Sequence, residues 1–206
     1  MSRLIIGPGG RLSEAYRLLI AGVIAAFGLA GYRIIEPLWS PLSYGSGVLA
    51  GAVIGLILHE YMHKHAGRAR GCWAEFVLSP QGIILTLFSG ILRSLGLWFA
   101  LIAPGYVALS CSSSVREGPI AAWGPLSNIV LAAVSAMLAS IVSLLPGHSW
   151  EVYVFLLGFT SINSWIALFN LLPLQPLDGY KVFKENIPLW AVMIVFAAIL
   201  VYFGVP

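Results

Sequence analysis

Long apolar runs separated by short polar breaks set the pattern of this chain. The first run covers residues 18–32, with Ile34 and Ile35 beyond it. The second starts near residue 46, reaches Leu58 and continues through His59-Glu60-Tyr61-Met62-His63 towards Gly67. A third covers about residues 120–145 and stops at Pro146-Gly147. The fourth, residues 152–172, is broken by Pro173 and Pro176, and the last covers residues 188–203. A bilayer-spanning helix needs roughly 17–25 mainly apolar residues, and Pro, Gly and Asn punctuate helix ends. The pattern predicts an α-helical polytopic membrane protein with about five transmembrane helices.

Residues 71–110 fit this scheme less well. They are apolar, but Pro80-Gln81-Gly82, Arg93-Ser94 and Pro104-Gly105 cut them into pieces too short to span comfortably. Residues 75–78 and 83–88 are rich in β-formers. A transmembrane hairpin, a re-entrant segment and strands at the membrane interface are all open. Strand backbone at membrane depth survives only where protein shields it. The favoured expectation is short strands with a re-entrant or interfacial element.

Composition supports the membrane reading. Of 206 residues, 59% are apolar and 9% are charged, against about 25% charged in soluble domains. Mean hydropathy is +0.92. These figures exclude a soluble enzyme, a disordered tail and a nucleic-acid-binding domain. Residues 1–13 contain Gly7, Pro8, Gly9, Gly10 and two arginines, so no cleavable signal peptide is expected. Cys72 and Cys111 have no metal-type spacing and read as small packing residues, not a disulfide framework.

The few charges predict orientation. With residues 64–117 taken as one inner block, ten of the eleven basic residues fall on one side and only Arg33 on the other. The positive-inside rule then places the N-terminus in the cytoplasm and Pro206 outside.

Against this background, His59, Glu60 and His63 stand out. Histidines four apart on a helix share one face, and both imidazoles can converge on one zinc ion. Glu60 follows the first histidine, where a carboxylate can act on water as general base without binding the metal, the H-E-x-x-H arrangement. Inside an apolar helix ionisable groups cost about 2.5–3.5 kcal/mol each, which favours a metal site over a simple polar helix end. A tetrahedral catalytic site needs a third protein ligand. The chain has one aspartate, Asp178, in Asn170-Leu-Leu-Pro173-Leu-Gln-Pro176-Leu-Asp178-Gly179. That segment follows the fourth helix at its inner end, the side on which the second helix carries its histidines. Glu75 and Glu117 are rival ligands, and His65 points away from His63 and reads as solvated.

H-E-Y-M-H at 59–63, followed about 110 residues later by N-L-L-P-L-Q-P-L-D-G at 170–179, resembles the site-2 protease family of intramembrane zinc metalloproteases. That family carries H-E-x-x-H on one transmembrane helix and N-x-x-P-x-x-P-L-D-G on another. Gly124-Pro125-Leu126-Ser127-Asn128 is similar to the family's G-P-x-x-N element on an intervening helix. Met62 stands where the family often has Gly, and Tyr180-Lys181 where Gly-Arg is common. The resemblance covers about residues 45–185, as the catalytic core of a single membrane-embedded domain over 1–206.

The resemblance implies one zinc per chain, held by His59, His63 and Asp178, with Glu60 as base. Asn170 would hydrogen-bond the substrate or the developing oxyanion. Asn128 is a candidate for positioning substrate, or equally for an interhelical hydrogen bond in lipid. The implied activity is hydrolysis of peptide bonds within or near transmembrane segments of membrane proteins, in regulated intramembrane proteolysis. Its partners would be such substrates and the lipid bilayer of the cell membrane, with the active site towards the cytoplasm. An extended substrate could add to the strand-forming segments near 75–88. The rival reading is a zinc-binding membrane protein without peptidase activity, a metal transporter or inactive scaffold. A transporter should place ionisable groups in both halves of the membrane, and here the outer half has almost none.

Overall fold

A computed structural model describes residues 12–97 and 101–204. Helix α1 spans Glu14–Ala30 and runs on as a 3-10 helix over Gly31–Leu38. Helix α2 spans Tyr44–Arg68, strand β1 Trp73–Leu78, helix α3 Pro80–Ser94 and strand β2 Gly105–Ser110. A short turn of helix α4, Gly118–Ala121, leads into α5, Trp123–Leu144. Helices α6 (Trp150–Asn170), α7 (Asp178–Glu185) and α8 (Ile187–Phe203) complete the described chain. The protein is a helical polytopic membrane protein. Four stretches are long and apolar enough to cross a bilayer: Glu14–Leu38, Tyr44–Arg68, Gly118–Leu144 and Trp150–Asn170. The fifth expected span is the shorter α8, 17 residues, about 25 Å at 1.5 Å per residue.

Helix α2 is central, packed on α1, α5 and α6. Its start is fixed by a capping box: Ser43 Oγ accepts from the Ser46 N–H at 3.1 Å, and Ser46 Oγ accepts from the Ser43 N–H at 2.7 Å. Gly47, Gly51 and Gly55 lie against α6, and a Cβ at Gly47 would sit 2.0 Å from the Phe155 carbonyl oxygen. Small residues at four-residue spacing let helix backbones approach this closely.

The β1–β2 pair is antiparallel, with Trp73 opposite Ser110 and Leu78 opposite Gly105. It rests on α1 and α2, with Phe76 fully buried among Ala21, Leu56 and Leu78. Ion pairs tie the three elements together. Arg17 of α1 bonds Glu75 of β1 at 2.5 Å, Lys64 of α2 bonds Glu14 of α1, and Glu14 also accepts from the Phe76 N–H.

Two expectations need correction here. Residues 83–88 are helical, inside α3. Ser79 caps that helix by accepting from the Gly82 N–H at 3.1 Å, and Pro80 sits at its first turn, where its missing N–H costs nothing. These N-terminal signals override the β-forming composition. The second correction is that Cys72 and Cys111 are joined as a disulfide. They are the residues just before β1 and just after β2, so the strand pairing itself brings them face to face.

Candidate metal centre

Helix α2 carries His59, Glu60 and His63 in its second half. The two imidazoles lie one turn apart, with ring centroids separated by 4.7 Å. Opposite them α6 ends at Asn170, the chain turns, and Asp178 opens α7. Several contacts hold Asp178 there. Gly179 backs so closely onto Leu171 that a Cβ would lie 2.2 Å from that residue's carbonyl group. The Leu171 carbonyl also accepts from Trp190 Nε1 at 2.7 Å. Ion pairs Lys181–Glu117 at 2.8 Å and Arg116–Glu185 at 3.1 Å pin α7 to the start of α4. The first turn of a helix also favours a carboxylate through the helix dipole.

Three ligand atoms converge. Asp178 Oδ2 is 3.2 Å from His59 Nε2 and 3.0 Å from His63 Nε2, and the two Nε2 atoms are 3.0 Å apart. His63 Nδ1 lies 3.1 Å from the Ile120 carbonyl oxygen. That oxygen can only accept, so Nδ1 carries the proton and Nε2 presents a lone pair. Two imidazole nitrogens and a carboxylate oxygen pointed at one another are a donor set for a cation. Tetrahedral zinc with ligands at about 2.0–2.1 Å holds its donor atoms roughly 3.3 Å apart, close to the edges seen here. His59, His63 and Asp178 therefore form a group that could hold a metal ion.

Burial works against ionisation of the Asp178 carboxyl. In the absence of a cation, with the imidazoles protonated, the charge and hydrogen bonds of His63 and His59 outweigh burial and hold it well below the usual carboxylate range. The group is an anion at neutral pH, as a metal ligand must be. Gly124 of α5 closes one side of the site. A Cβ there would fall 2.2 Å from His63 Nε2 and 2.6 Å from His59 Nε2, so a side chain would collide with both ligand atoms.

Glu60 is buried beside this group, within electrostatic reach of His59 and Asp178 and against the Val107 backbone N–H of β2. Its Oε2 has no hydrogen-bond partner among the described residues. Leaving a buried acceptor unsatisfied costs about 1–3 kcal/mol or more, so this oxygen calls for a water or substrate partner. Glu60 also lines a cavity of about 220 Å³ between α1 and α2, together with Glu14, Leu18, Ile57, Tyr61 and Lys64.

The other candidates separate clearly. Glu75 and Glu117, the rival ligands, are engaged by Arg17 and Lys181. His65 is exposed and stacked on Tyr61 within α2. Asn170 donates from Nδ2 to the Ile166 carbonyl of its own helix at 2.9 Å and makes no hydrogen bond to the metal group. Asn128 is fully buried, and its Oδ1 faces His59 Nδ1 at 2.6 Å. That is where a partner orienting a metal-ligating histidine would sit. Sequence reasoning missed Asn163, which bonds Asn128 across the bundle at 2.9 Å. The available signal was the Gly47, Gly51, Gly55 spacing, which marks where α6 must press against α2.

Among known proteins, the chain is similar to one from Methanocaldococcus jannaschii named "Putative zinc metalloprotease MJ0611". The two are 34% identical over 176 residues, which is 84% of this chain and 84% of the relative. A Bacillus subtilis protein named "Putative zinc metalloprotease YwhC" is 34% identical over 70 residues, 32% of each chain. No family model and no solved structure matches.

Proposed function

This chain belongs to the zinc metalloprotease family of those relatives, and we propose that it is an intramembrane protease of the site-2 type. On this reading it hydrolyses peptide bonds within or beside transmembrane segments of other membrane proteins, as in regulated intramembrane proteolysis. The observation that carries the proposal is the metal-ligand group itself, built at the ends of helices apolar enough to cross a bilayer. Zinc is the cofactor of the family, and His59, His63 and Asp178 are the residues that would hold it. When bound, it polarises a carbonyl and makes water acidic enough to yield a proton near neutral pH.

Glu60 takes that proton as the water oxygen bonds to the substrate carbonyl carbon. It returns the proton to the amide nitrogen as the C–N bond breaks. Asn170 would steady the substrate carbonyl after turning its amide away from Ile166. Substrate must be extended, because a helix hides its carbonyls in intrahelical bonds. The two-stranded sheet offers an edge for such a segment, and β2 passes beside Glu60. Of the 75–88 stretch only residues 75–78 are strand, since α3 and its cap take up the rest, and the Phe76 N–H of that strand is already taken by Glu14. A transporter or scaffold gives no use to a buried carboxylate placed beside the ligands without being one of them.

A substrate that must unwind should be cut faster when its helix is weak. Two glycines near the scissile bond weaken a helix by about 2 kcal/mol, so cleavage of a single-span substrate should rise by up to about thirtyfold over its poly-Leu counterpart. Purified protein in detergent with both substrates tests this. Equal rates would reject the unwinding requirement.

The site is proposed to face the cytoplasm of the cell membrane, with the N-terminus on the same side. Support comes from the basic residues, of which Arg3 and Arg11, like Met1 and Pro206, lie outside the described residues. Arg93, counted with the inner block, instead lies at the far end of α1, 3.2 Å from the Leu29 carbonyl oxygen and on the side of Arg33, because α3 runs back along α1. The Cys72–Cys111 disulfide argues the other way, because disulfides are rare in the cytosol of mesophiles. Accessibility tags at residue 1 and after Pro206 should report opposite sides, the first cytoplasmic. Both tags on one side would reject the five-span scheme.

A further inference from the structure

The two histidines of the metal group are held in different ways. His63 Nδ1 meets a backbone carbonyl, that of Ile120, which can only accept a hydrogen bond and so leaves no choice of tautomer. His59 Nδ1 meets the side-chain amide of Asn128, a group that could present either end. Were the amide reversed, its N–H would point at Nδ1, the imidazole proton would move to Nε2, and the lone pair facing the metal position would be lost. Something must fix which way Asn128 faces.

Two groups share this task, the Gly55 carbonyl, 3.2 Å from Asn128 Nδ2, and, at the shorter distance of 2.9 Å, Asn163 of α6, fully buried. Its Nδ2 lies 3.0 Å from the Phe159 carbonyl oxygen on its own helix and 3.3 Å from the Gly51 carbonyl oxygen on α2. Both oxygens are obligate acceptors, so the nitrogen end of Asn163 is committed to them and its Oδ1 must face the other way. That Oδ1 lies 2.9 Å from Asn128 Nδ2, which also lies 3.2 Å from the Gly55 carbonyl oxygen. Asn128 therefore spends its donors on two acceptors and turns its own oxygen to His59. An amide oxygen cannot donate, so His59 must carry its proton on Nδ1. The polarity of the chain runs from two backbone carbonyls to one metal-facing nitrogen, with no ambiguous link.

The backbone is shaped for this. A Cβ at Gly55 would lie 2.2 Å from Asn163 Oδ1 and 3.0 Å from Asn128 Nδ2, and one at Gly51 would lie 3.0 Å from Asn163 Nδ2. The glycine stripe of α2 thus leaves room for the amide pair as well as for the backbone of α6.

We infer that Asn163 is a positioning residue of the metal centre. Through Asn128 it holds His59 in the Nδ1–H tautomer and keeps the Nε2 lone pair aimed at the metal position. The inference rests on His59 being a metal ligand but not on proteolysis, so it can fail or hold independently of the proposed activity.

The test uses the full-length protein in detergent, labelled with 15N in its four histidines. Metal is removed, and the pH is set where the imidazoles are neutral. Nitrogen chemical shifts distinguish the tautomers, and the His59 signals are identified by their loss in His59→Ala. Wild type should show His59 as Nδ1–H. Asn163→Leu should give a mixture of tautomers at His59, leave His63 as Nδ1–H, and weaken zinc binding by about 10- to 100-fold, the usual range for partners behind a metal ligand. Asn163→Asp has the same shape. Its protonated form keeps an oxygen for Asn128 and one donor for a carbonyl, so it should bind zinc within about threefold of wild type. If the Leu variant does not fold, the wild-type tautomer and the Asp variant carry the test. An Nε2–H tautomer in wild type would overturn the inference. So would an Asn163→Leu protein with unchanged His59 tautomer and zinc affinity, or a tenfold loss of affinity in the Asp variant.

Discussion

Replacing Asp178 by alanine is expected to strip the protein of zinc. Asp178 supplies the only carboxylate oxygen in the group, 3.0–3.2 Å from both imidazole nitrogens. Without it two neutral imidazoles remain, and no anionic ligand binds the dication directly. Zinc content should fall from near one per chain to below about a tenth, since two ligands are fewer than any stable zinc site uses. His59→Ala should do the same and abolish activity with it. Glu75→Ala is the control, because that carboxylate is tied to Arg17 at 2.5 Å and should leave zinc content unchanged. Elemental analysis after exhaustive dialysis checks all three. Full zinc occupancy in Asp178→Ala would move the third ligand elsewhere.

Glu60→Gln should separate chemistry from metal binding. Gln keeps the size of the side chain and a hydrogen-bonding oxygen but cannot accept a proton from water. Glu60 is not among the three converging ligands, so zinc should stay near one per chain. Cleavage of a transmembrane substrate should fall by at least about 10²-fold, the low end for a positioned general base. Zinc and turnover measured on the same sample give the result. Near-normal cleavage by the Gln variant would remove Glu60 from the base role. A transporter or scaffold would keep its function in this variant.

The long helices were legible in the sequence because nothing but their length and apolarity decides them. α2, α5, α6 and α8 fall close to the runs that predict them. Ligand spacing on α2 was legible too, since four residues on a helix fix a shared face whatever surrounds it. Residues 83–88 were misread as strand because β-propensity depends on context, and the Ser79 cap with Pro80 outweighed it. The Asp178 segment reads locally as a turn. Its role as the first residue of α7 depends on distant partners of that helix, Arg116, Glu117 and Gly118, that no local pattern reveals. The Cys72–Cys111 bond likewise follows from strand register across 39 residues of separation. Asn163 lies outside every motif, and its meaning comes only from the α2–α6 contact.

The central claim is that one zinc ion is bound jointly by His59, His63 and Asp178. It is tested most directly by a crystal structure of the purified protein with anomalous data collected at the zinc edge. The account predicts one anomalous peak, within about 2.0–2.2 Å of His59 Nε2, His63 Nε2 and an Asp178 carboxylate oxygen, with Glu60 outside the ligand set. A peak bound by Glu75, Glu117 or the cysteines, or no peak between the two histidines in an active preparation, would contradict it.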